Sequence, residues 1–167
     1  MINKIGVLTS GGDAPGMNAA IRGVTRYAIQ KGLTVEGIIR GYEGLLSHET
    51  RPLGRRDVGA IIHRGGTMLR TARCLEFKEK ETQKKAAAYL RELEIDALVV
   101  IGGDGSMRGA QALSRWGIPT ITIPGTIDND MMGTQYTLGF DTAVNTVLES
   151  VNKIRDTAFS HDRVAVI

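Results

Sequence analysis

The chain has 167 residues, of which 42% are hydrophobic, so it is long and apolar enough for one domain with a buried core. Its net charge is only +3 and its aromatic content is 5%, whereas nucleic-acid surfaces need clustered basic residues and stacking side chains. A single cysteine excludes a disulfide framework. The first residues have no charged region followed by a long apolar stretch, and no window approaches 18 apolar residues, so we expect neither a signal peptide nor a membrane span. We therefore expect a cytoplasmic protein that binds neither nucleic acid nor membrane.

Apolar runs typical of buried strands alternate along the chain with apolar residues at helical spacing. In chain order, the pattern predicts a strand at 4–9, a helix at 17–31, a strand at 33–39, a loop at 40–44 that exposes Tyr42, a short helix at 55–63, a helix at 78–93, a strand at 95–101, a helix ending near 116, a strand at 118–123, a helix from 140 to about 154 and a strand at 163–167.

This alternation predicts an α/β fold with a doubly wound, mainly parallel sheet flanked by helices, in a Rossmann-like three-layer arrangement. The last strand follows a long helix and should lie inside the sheet. We therefore expect residues 1–167 to be one α/β domain, cut within its last strand, from the N-terminal part of a longer protein.

Three loops that follow predicted strands combine glycine with aspartate, at 10–16, 102–106 and 124–130. The loops after parallel strands meet at one edge of a sheet, where α/β proteins bind their ligands. We therefore expect the three loops to face a common crevice.

The first of these loops joins a strand to a helix through glycines, which is a geometry that surrounds an anion. Its spacing Gly11-x4-Gly16 imitates a P-loop, but Met17 and Asn18 stand where lysine and serine or threonine are required. Arg73, after a second glycine turn, could supply positive charge to a transferring phosphoryl group or could be an ordinary solvated arginine.

Asp104 lies between glycines at the predicted start of a helix. A carboxylate there could hold Mg²⁺ next to bound phosphates or could simply cap the helix, and the residues leave both readings open. The spacing Gly103-x-Gly105-x3-Gly109 is close to a dinucleotide fingerprint, but the acidic residue expected about twenty positions later does not end a strand.

Asp128 and Asp130 lie in a loop whose turn chemistry is already provided by Pro124, Gly125 and Asn129. We interpret one carboxylate as a general base for a substrate hydroxyl and the other as its helper. The alternative is an acidic surface turn.

Three stretches resemble the N-terminal half of bacterial ATP-dependent 6-phosphofructokinases: IGVLTSGGDAPGMN at 5–18, GGDGS at 102–106 and PGTIDND at 124–130. The resemblance extends over essentially the whole chain. It implies transfer of the γ-phosphate of Mg-ATP to the 1-hydroxyl of fructose 6-phosphate, giving fructose 1,6-bisphosphate and ADP, the committed step of glycolysis. It also implies a homotetramer with shared sites and an effector such as ADP or phosphoenolpyruvate.

The resemblance also implies roles for individual residues. Asp128 would deprotonate the sugar hydroxyl with help from Asp130, and Asp104 would bind Mg²⁺. Arg163 would reach the 6-phosphate bound by a neighbouring subunit. The substrate contacts would be Thr126, Ile127, Asp128 and Arg163, and the further catalytic residues would be Arg73 and Gly12.

The nucleotide and effector sites are implied in the same way. The nucleotide site would be lined by Gly12, Tyr42, Arg73, Cys74, Phe77, Gly103, Asp104, Gly105, Ser106 and Gly109, with Cys74 only at the rim. The effector site would use four arginines, which could also be ordinary helix-surface residues: Arg22, Arg26, Arg55 and Arg155.

Two glycines bear on the phosphoryl donor. Relatives that use pyrophosphate carry Asp where Gly105 stands and Lys where Gly125 stands, so glycine at both positions favours ATP. Most sugar-phosphate contacts of the family lie beyond residue 167, and we therefore expect this chain to be inactive by itself.

Two rival functions stay open at this point. Another Gly-Gly-Asp-Gly kinase, of the NAD-kinase or lipid-kinase kind, would explain residues 102–106 but not residues 124–130. A nucleotide-binding regulatory module without catalysis would explain the four arginines, but Asp128 and Asp130 argue against it.

Overall fold

The computed structural model of the protein describes residues 2–166. Its helices and strands follow one another in the order β1 (Lys4–Ser10), α1 (Met17–Gln30), β2 (Thr34–Ile38), α2 (Gly41–Leu46), β3 (Thr50–Pro52), α3 (Lys80–Glu92), β4 (Ala97–Gly102), α4 (Asp104–Arg115), β5 (Thr120–Thr126), β6 (Leu138–Gly139) and α5 (Phe140–Ser160). A 3-10 turn at Leu75–Lys78 leads into α3. Among the described residues, no helix has the length and apolar content needed to span a bilayer.

The strands form one six-stranded sheet in the order β3-β2-β1-β4-β5-β6. All neighbouring strands are parallel except β2 and β3, which are antiparallel. The mainly parallel α/β fold predicted from the sequence is therefore confirmed. From β1 the chain first continues outward to β2 and β3 and then returns to place β4 on the other side of β1. This reversal makes the ends of β1 and β4 the switch point at which such sheets bind ligands.

The sheet has an apolar core on each face, which explains why its central strands are almost continuously apolar. On one face, Ile5 and Val7 of β1 pack with α1 and with the segment that follows β3. On the other face, Leu8 of β1 and Leu98 and Val100 of β4 pack with α2, α3 and α4. The helical layers on both faces give the predicted three-layer arrangement.

Two local predictions between β2 and α3 are wrong. The predicted loop at 40–44 contains α2, because Arg40 and Gly41 both adopt left-handed backbone angles (φ 61°) that turn the chain directly into a helix. Tyr42 is consequently buried, at 4% exposure, and not exposed. The predicted helix at 55–63 is a series of turns, interrupted at Ala60 by a left-handed φ of 51°.

The end of the chain also departs from the predictions. The strand predicted at 118–123 is β5, which continues to Thr126, and it is not fully buried because Ile121 is 67% exposed. Residues 163–166 are not a strand, and residue 167 lies outside the described residues. Helix α5 buries none of its residues. The sheet's β6 edge and α5 thus present apolar side chains to the surface, among them Val147 and Leu148.

Thr25 provides a test of the core beneath α1. Its hydroxyl is buried and has no hydrogen-bond partner among residues 2–166. A buried hydroxyl without a partner destabilises the folded state, and valine has nearly the same shape. We expect Thr25→Val to raise the free energy of unfolding by about 1 kcal/mol, measured by urea denaturation. Thr25→Ala, which leaves a void, should lower it, and a loss of stability in the valine variant would contradict this reading.

Candidate active site

The three glycine–aspartate loops start side by side at the carboxyl edge of the sheet. Ser10 at the end of β1 is paired with Gly102 of β4, and Gly102 is paired with Pro124 of β5. This register brings the loops together around one cleft of about 870 Å³. The cleft is lined from these loops and from α4 by Ser10, Gly11, Gly12, Asp13, Gly103, Asp104, Gly105, Ser106, Arg108, Gly109, Ala112, Gly125, Thr126, Ile127, Asp128 and Asp130.

The first and second loops are in direct contact. The Ser106 hydroxyl donates a hydrogen bond to the Ser10 carbonyl oxygen at 2.9 Å. Gly102 is buried at this contact, and a Cβ there would collide with both the Ser10 carbonyl and the Ser106 hydroxyl. Glycine is therefore required at 102 by the close approach of the two loops.

Asp104 is the first residue of α4 and does not cap it, since the N-cap position is Gly103 and no side chain caps the helix. The carboxylate is 63% exposed, faces the cleft and pairs with Arg108 at 2.9 Å. The simple capping interpretation of Asp104 is therefore wrong. A negative charge at this helix N-terminus is favoured by the helix dipole.

Asp104 is suited to Mg²⁺, which usually takes one or two protein carboxylates together with substrate phosphates and water. Residues 2–166 contain no group of three or more histidine, cysteine, aspartate or glutamate side chains that would form a complete metal cage. An exposed single carboxylate beside glycine-rich loops fits an ion that arrives with a phosphate ligand.

One wall of the cleft is formed by Tyr42, Phe77 and Gly109. The Tyr42 and Phe77 rings stack with their centroids 4.2 Å apart. The Tyr42 hydroxyl donates to the Ser106 carbonyl oxygen at 2.5 Å, and burial raises the pKa of Tyr42 well above its ordinary value, so this donor keeps its proton. A Cβ at Gly109 would lie 2.5 Å from the Tyr42 ring, which explains the glycine there by packing.

The third loop is shaped by Asn129, which adopts a left-handed φ of 50°. Its side chain accepts a hydrogen bond from the Thr137 amide at 2.9 Å and donates to the Gln135 carbonyl at 3.1 Å. Asn129 thus performs the turn chemistry, while Asp128 and Asp130 are exposed toward the cleft.

Thr126 and Asp128 form a small local turn at the end of β5. The Asp128 amide donates to the Thr126 hydroxyl at 3.2 Å, and that hydroxyl lies 3.4 Å from the Asp128 carboxylate. The carboxylate is therefore oriented without being buried, and its exposed oxygens can accept a proton from a bound hydroxyl.

The segment at 72–78 also lines the cleft and contributes Arg73 to it. Burial raises the pKa of the neighbouring Cys74 thiol, which keeps it neutral. Sequence reasoning missed several lining residues whose positions depend on tertiary packing, because no motif marks them: Ala72, Leu75, Lys78, Gln83, Arg108 and Ala112. It also gave no role to Asp13, although this residue is the aspartate of the first loop.

The remaining predicted site residues lie elsewhere. Arg26 and Arg55, together with Gln30, line a second cleft of about 480 Å³. Arg22 lies outside its lining and donates a hydrogen bond to the Val58 carbonyl at 2.6 Å. Two further arginines are exposed and outside both clefts: Arg155, paired with Asp156 on α5, and Arg163.

Glycine turns and a helix N-terminus at the switch point of a parallel sheet are typical of α/β proteins that bind phosphate groups. A profile described as Phosphofructokinase matches residues 4–167, and the chain belongs to the phosphofructokinase family.

The individual relatives agree with this assignment. The chain is 58% identical over 166 residues to ATP-dependent 6-phosphofructokinase 1 of Clostridium perfringens and 63% identical over 167 residues to the ATP-dependent 6-phosphofructokinase of Caldanaerobacter subterraneus. Each alignment covers 99% of this chain and 52% of the relative, so the chain spans about half the length of the curated relatives it matches. A solved structure of phosphofructokinase from Saccharomyces cerevisiae matches with a TM-score of 0.87 at 38% identity, over 95% of this chain and 25% of that one.

Two glycines of α4 provide a matched test of the cleft wall. We expect Gly109→Ala to lower the free energy of unfolding by about 1–3 kcal/mol, because its Cβ would press on the Tyr42 ring. Gly105→Ala adds the same atom where nothing lies within 4 Å, and it should be neutral or stabilise the helix by up to about 1 kcal/mol. Equal unfolding energies for the two variants, measured by urea denaturation, would refute the packing role of Gly109.

Proposed function

We propose that the protein containing this chain transfers the γ-phosphate of Mg-ATP to the 1-hydroxyl of fructose 6-phosphate, giving fructose 1,6-bisphosphate and ADP. The observation that carries the proposal is one cleft that is lined both by glycine turns suited to phosphates and by Asp128 and Asp130 of the third loop. A nucleotide-binding module without catalysis would have no use for two exposed carboxylates there. Membership of the phosphofructokinase family supports the acceptor, and the relatives that are ATP-dependent 6-phosphofructokinases support the donor.

The phosphates of the nucleotide would lie against the glycine turns of the first and second loops and the N-terminus of α4. The backbone N–H groups at a helix start carry partial positive charge and favour anions. Tyr42, Phe77 and Gly109 would form the wall beside the nucleotide. Asp104 would hold Mg²⁺, which neutralises charge that develops on the phosphates.

The acceptor hydroxyl would be activated by Asp128. A carboxylate within hydrogen-bond reach takes the hydroxyl proton as the oxygen attacks the γ-phosphorus and the bond to the β-phosphate oxygen breaks. Asp130 would assist this base, and Thr126 and Ile127 would contact the sugar phosphate. Arg73 and Gly12 face the same cleft and would stabilise the charge on the transferring group.

The choice of ATP over pyrophosphate rests on two glycines. Gly105 faces open space at the start of α4, so the cleft has room beside the α-phosphate. Gly125 is buried, and a Cβ there would already touch Ile101 and Met17 at 3.4 Å. The lysine that pyrophosphate-using relatives carry in place of Gly125, which would anchor pyrophosphate, is not present here.

The site would be completed outside this chain. We infer that most sugar-phosphate contacts come from the rest of the protein, that the subunits form a cytoplasmic homotetramer, and that Arg163 reaches the 6-phosphate of a neighbouring subunit. The cleft between Arg26 and Arg55 would take an anionic effector such as ADP or phosphoenolpyruvate, since paired guanidinium groups bind phosphate oxygens strongly. Arg22 and Arg155 would join that site in the assembly.

The base is tested by Asp128→Asn in the whole protein. We expect kcat to fall by about 100- to 10,000-fold, because the amide cannot accept the hydroxyl proton, while ATP affinity is kept. Steady-state kinetics and calorimetric titration of Mg-ATP measure the two effects. Glu92→Gln, at the exposed end of α3, is the matched control and should leave kcat unchanged. An unaltered kcat in the Asp128 variant would remove that residue from the role of base.

The donor preference is tested by Gly105→Asp. A carboxylate beside the nucleotide phosphates should raise the KM for Mg-ATP by about tenfold or more, because like charges brought together cost several kcal/mol. Gly105→Asn has the same size without the charge and should raise the KM much less. Equal KM values in the two variants would show that repulsion at this position does not decide the donor.

A further inference from the structure

The Thr71 hydroxyl donates a hydrogen bond to the Gly11 carbonyl oxygen at 2.5 Å, across 60 residues of sequence. Gly11 begins the first glycine turn and has a left-handed φ of 85°. We propose that Thr71 is a positioning residue that holds this turn and Arg73 in register for the phosphoryl donor. The proposal rests on the function proposed above, because the donor is taken to be Mg-ATP.

A fixed carbonyl matters here because a carbonyl oxygen turned toward the cleft would repel phosphate. Residues 2–166 contain no cis peptide, so the Gly11 carbonyl and the Gly12 N–H point in opposite directions across one planar unit. By holding the carbonyl on the Thr71 side, the hydroxyl directs the Gly12 N–H to the other side. Gly12 lines the cleft, where this donor is useful to an anion.

The peptide unit between Ser10 and Gly11 is fixed in the same way, by a hydroxyl group of the second loop. The Ser106 hydroxyl donates to the Ser10 carbonyl at 2.9 Å, so two successive carbonyl oxygens of the first loop are each tied by a hydroxyl from a different segment. Thr71 and Ser106 therefore determine together how the Ser10–Gly12 backbone faces the cleft. Ser106 belongs to the expected nucleotide site, whereas Thr71 is not one of the site residues predicted from the sequence.

The same bond aligns Arg73 with the turn. The segment before Thr71 is held against β1 and α1 by Asn18, whose side chain bonds Arg64, Gly65 and Met68, and by the Thr9 hydroxyl, which donates to the Arg70 carbonyl at 2.8 Å. Two residues after Thr71 the chain carries Arg73 into the cleft. Loss of the Thr71 hydroxyl should therefore loosen the Gly11 turn and Arg73 together.

The experiment compares Thr71→Val and Thr71→Ser in the whole protein. Valine keeps the shape without the hydroxyl, whereas serine keeps the hydroxyl. We expect Thr71→Val to lower kcat/KM for Mg-ATP by about 10- to 100-fold, the size of effect that a small misplacement produces, with the KM for fructose 6-phosphate little changed. Thr71→Ser should restore most of the loss. Steady-state kinetics with each substrate varied in turn gives these values.

Thr67→Val is the control for a purely structural effect. The Thr67 hydroxyl bonds the Thr9 hydroxyl at 2.9 Å and so links the same two segments without touching Gly11. We expect Thr67→Val to lower the melting temperature about as much as Thr71→Val does, while leaving kcat/KM for Mg-ATP nearly intact. If Thr71→Val does not fold, Thr71→Ala replaces it in every measurement.

Three results would overturn the proposal: an unchanged kcat/KM for Mg-ATP in the variant without the hydroxyl, no recovery with serine, or an equal loss in Thr67→Val. Failure of the proposed function would look different, because the wild-type protein would then not phosphorylate fructose 6-phosphate. In that case calorimetric titration of Mg-ATP still tests the positioning role of Thr71. The affinity for Mg-ATP should fall in Thr71→Val and be kept in Thr71→Ser.

Discussion

The cleft depends on the close approach of β1 and β4 at Ser10 and Gly102. The two strands pair in parallel register up to this point, and Gly102 has no room for a side chain because the Ser10 carbonyl and the Ser106 hydroxyl occupy the space. The register places the first two glycine loops in contact, and β5 adds the third loop beside them. Without this contact the loops would be three separate turns with no common ligand.

Around this contact the polar groups fall into two sets with different tasks. Hydroxyl groups from Thr71, Ser106 and Tyr42 bond backbone carbonyls and fix the loops. Exposed carboxylates, by contrast, face the cleft: Asp104, Asp128 and Asp130. A backbone fixed by hydrogen bonds, with solvent-exposed charges beside it, suits phosphoryl transfer, in which catalysis consists mainly of positioning and electrostatic stabilisation.

Much of the central sheet could be predicted from the sequence, because strands buried on both faces are continuous apolar runs. The common crevice followed from the parallel order of strands. The turn role of Asn129 could be read from residue types, whereas Pro124 and Gly125, predicted to share it, lie in β5. Helix α2 could not be predicted, since its start requires left-handed angles at Arg40 and Gly41. The burial of Tyr42 depends on a partner, Gly109, that lies 67 residues later.

Other failures have the same origin in tertiary structure. The turns at 55–63 place Val58 and Ile61 in the core without a helix, so apolar spacing alone predicted the wrong element. Exposure of Ile121 could not be read from an apolar run, because burial depends on what covers the strand. Arg155 lies on α5, outside the cleft that Arg26 and Arg55 line. Its distance from them depends on where α5 packs, which the sequence alone does not give.

The most direct measurement is product analysis of the whole protein with Mg²⁺, fructose 6-phosphate and either ATP or pyrophosphate, by phosphorus NMR. The three-loop cleft predicts that ATP yields equal amounts of ADP and fructose 1,6-bisphosphate, with the new phosphate on the 1-hydroxyl. It also predicts no phosphorylated product from pyrophosphate. Binding of ATP and sugar phosphate without transfer, or transfer from pyrophosphate in place of ATP, would contradict it.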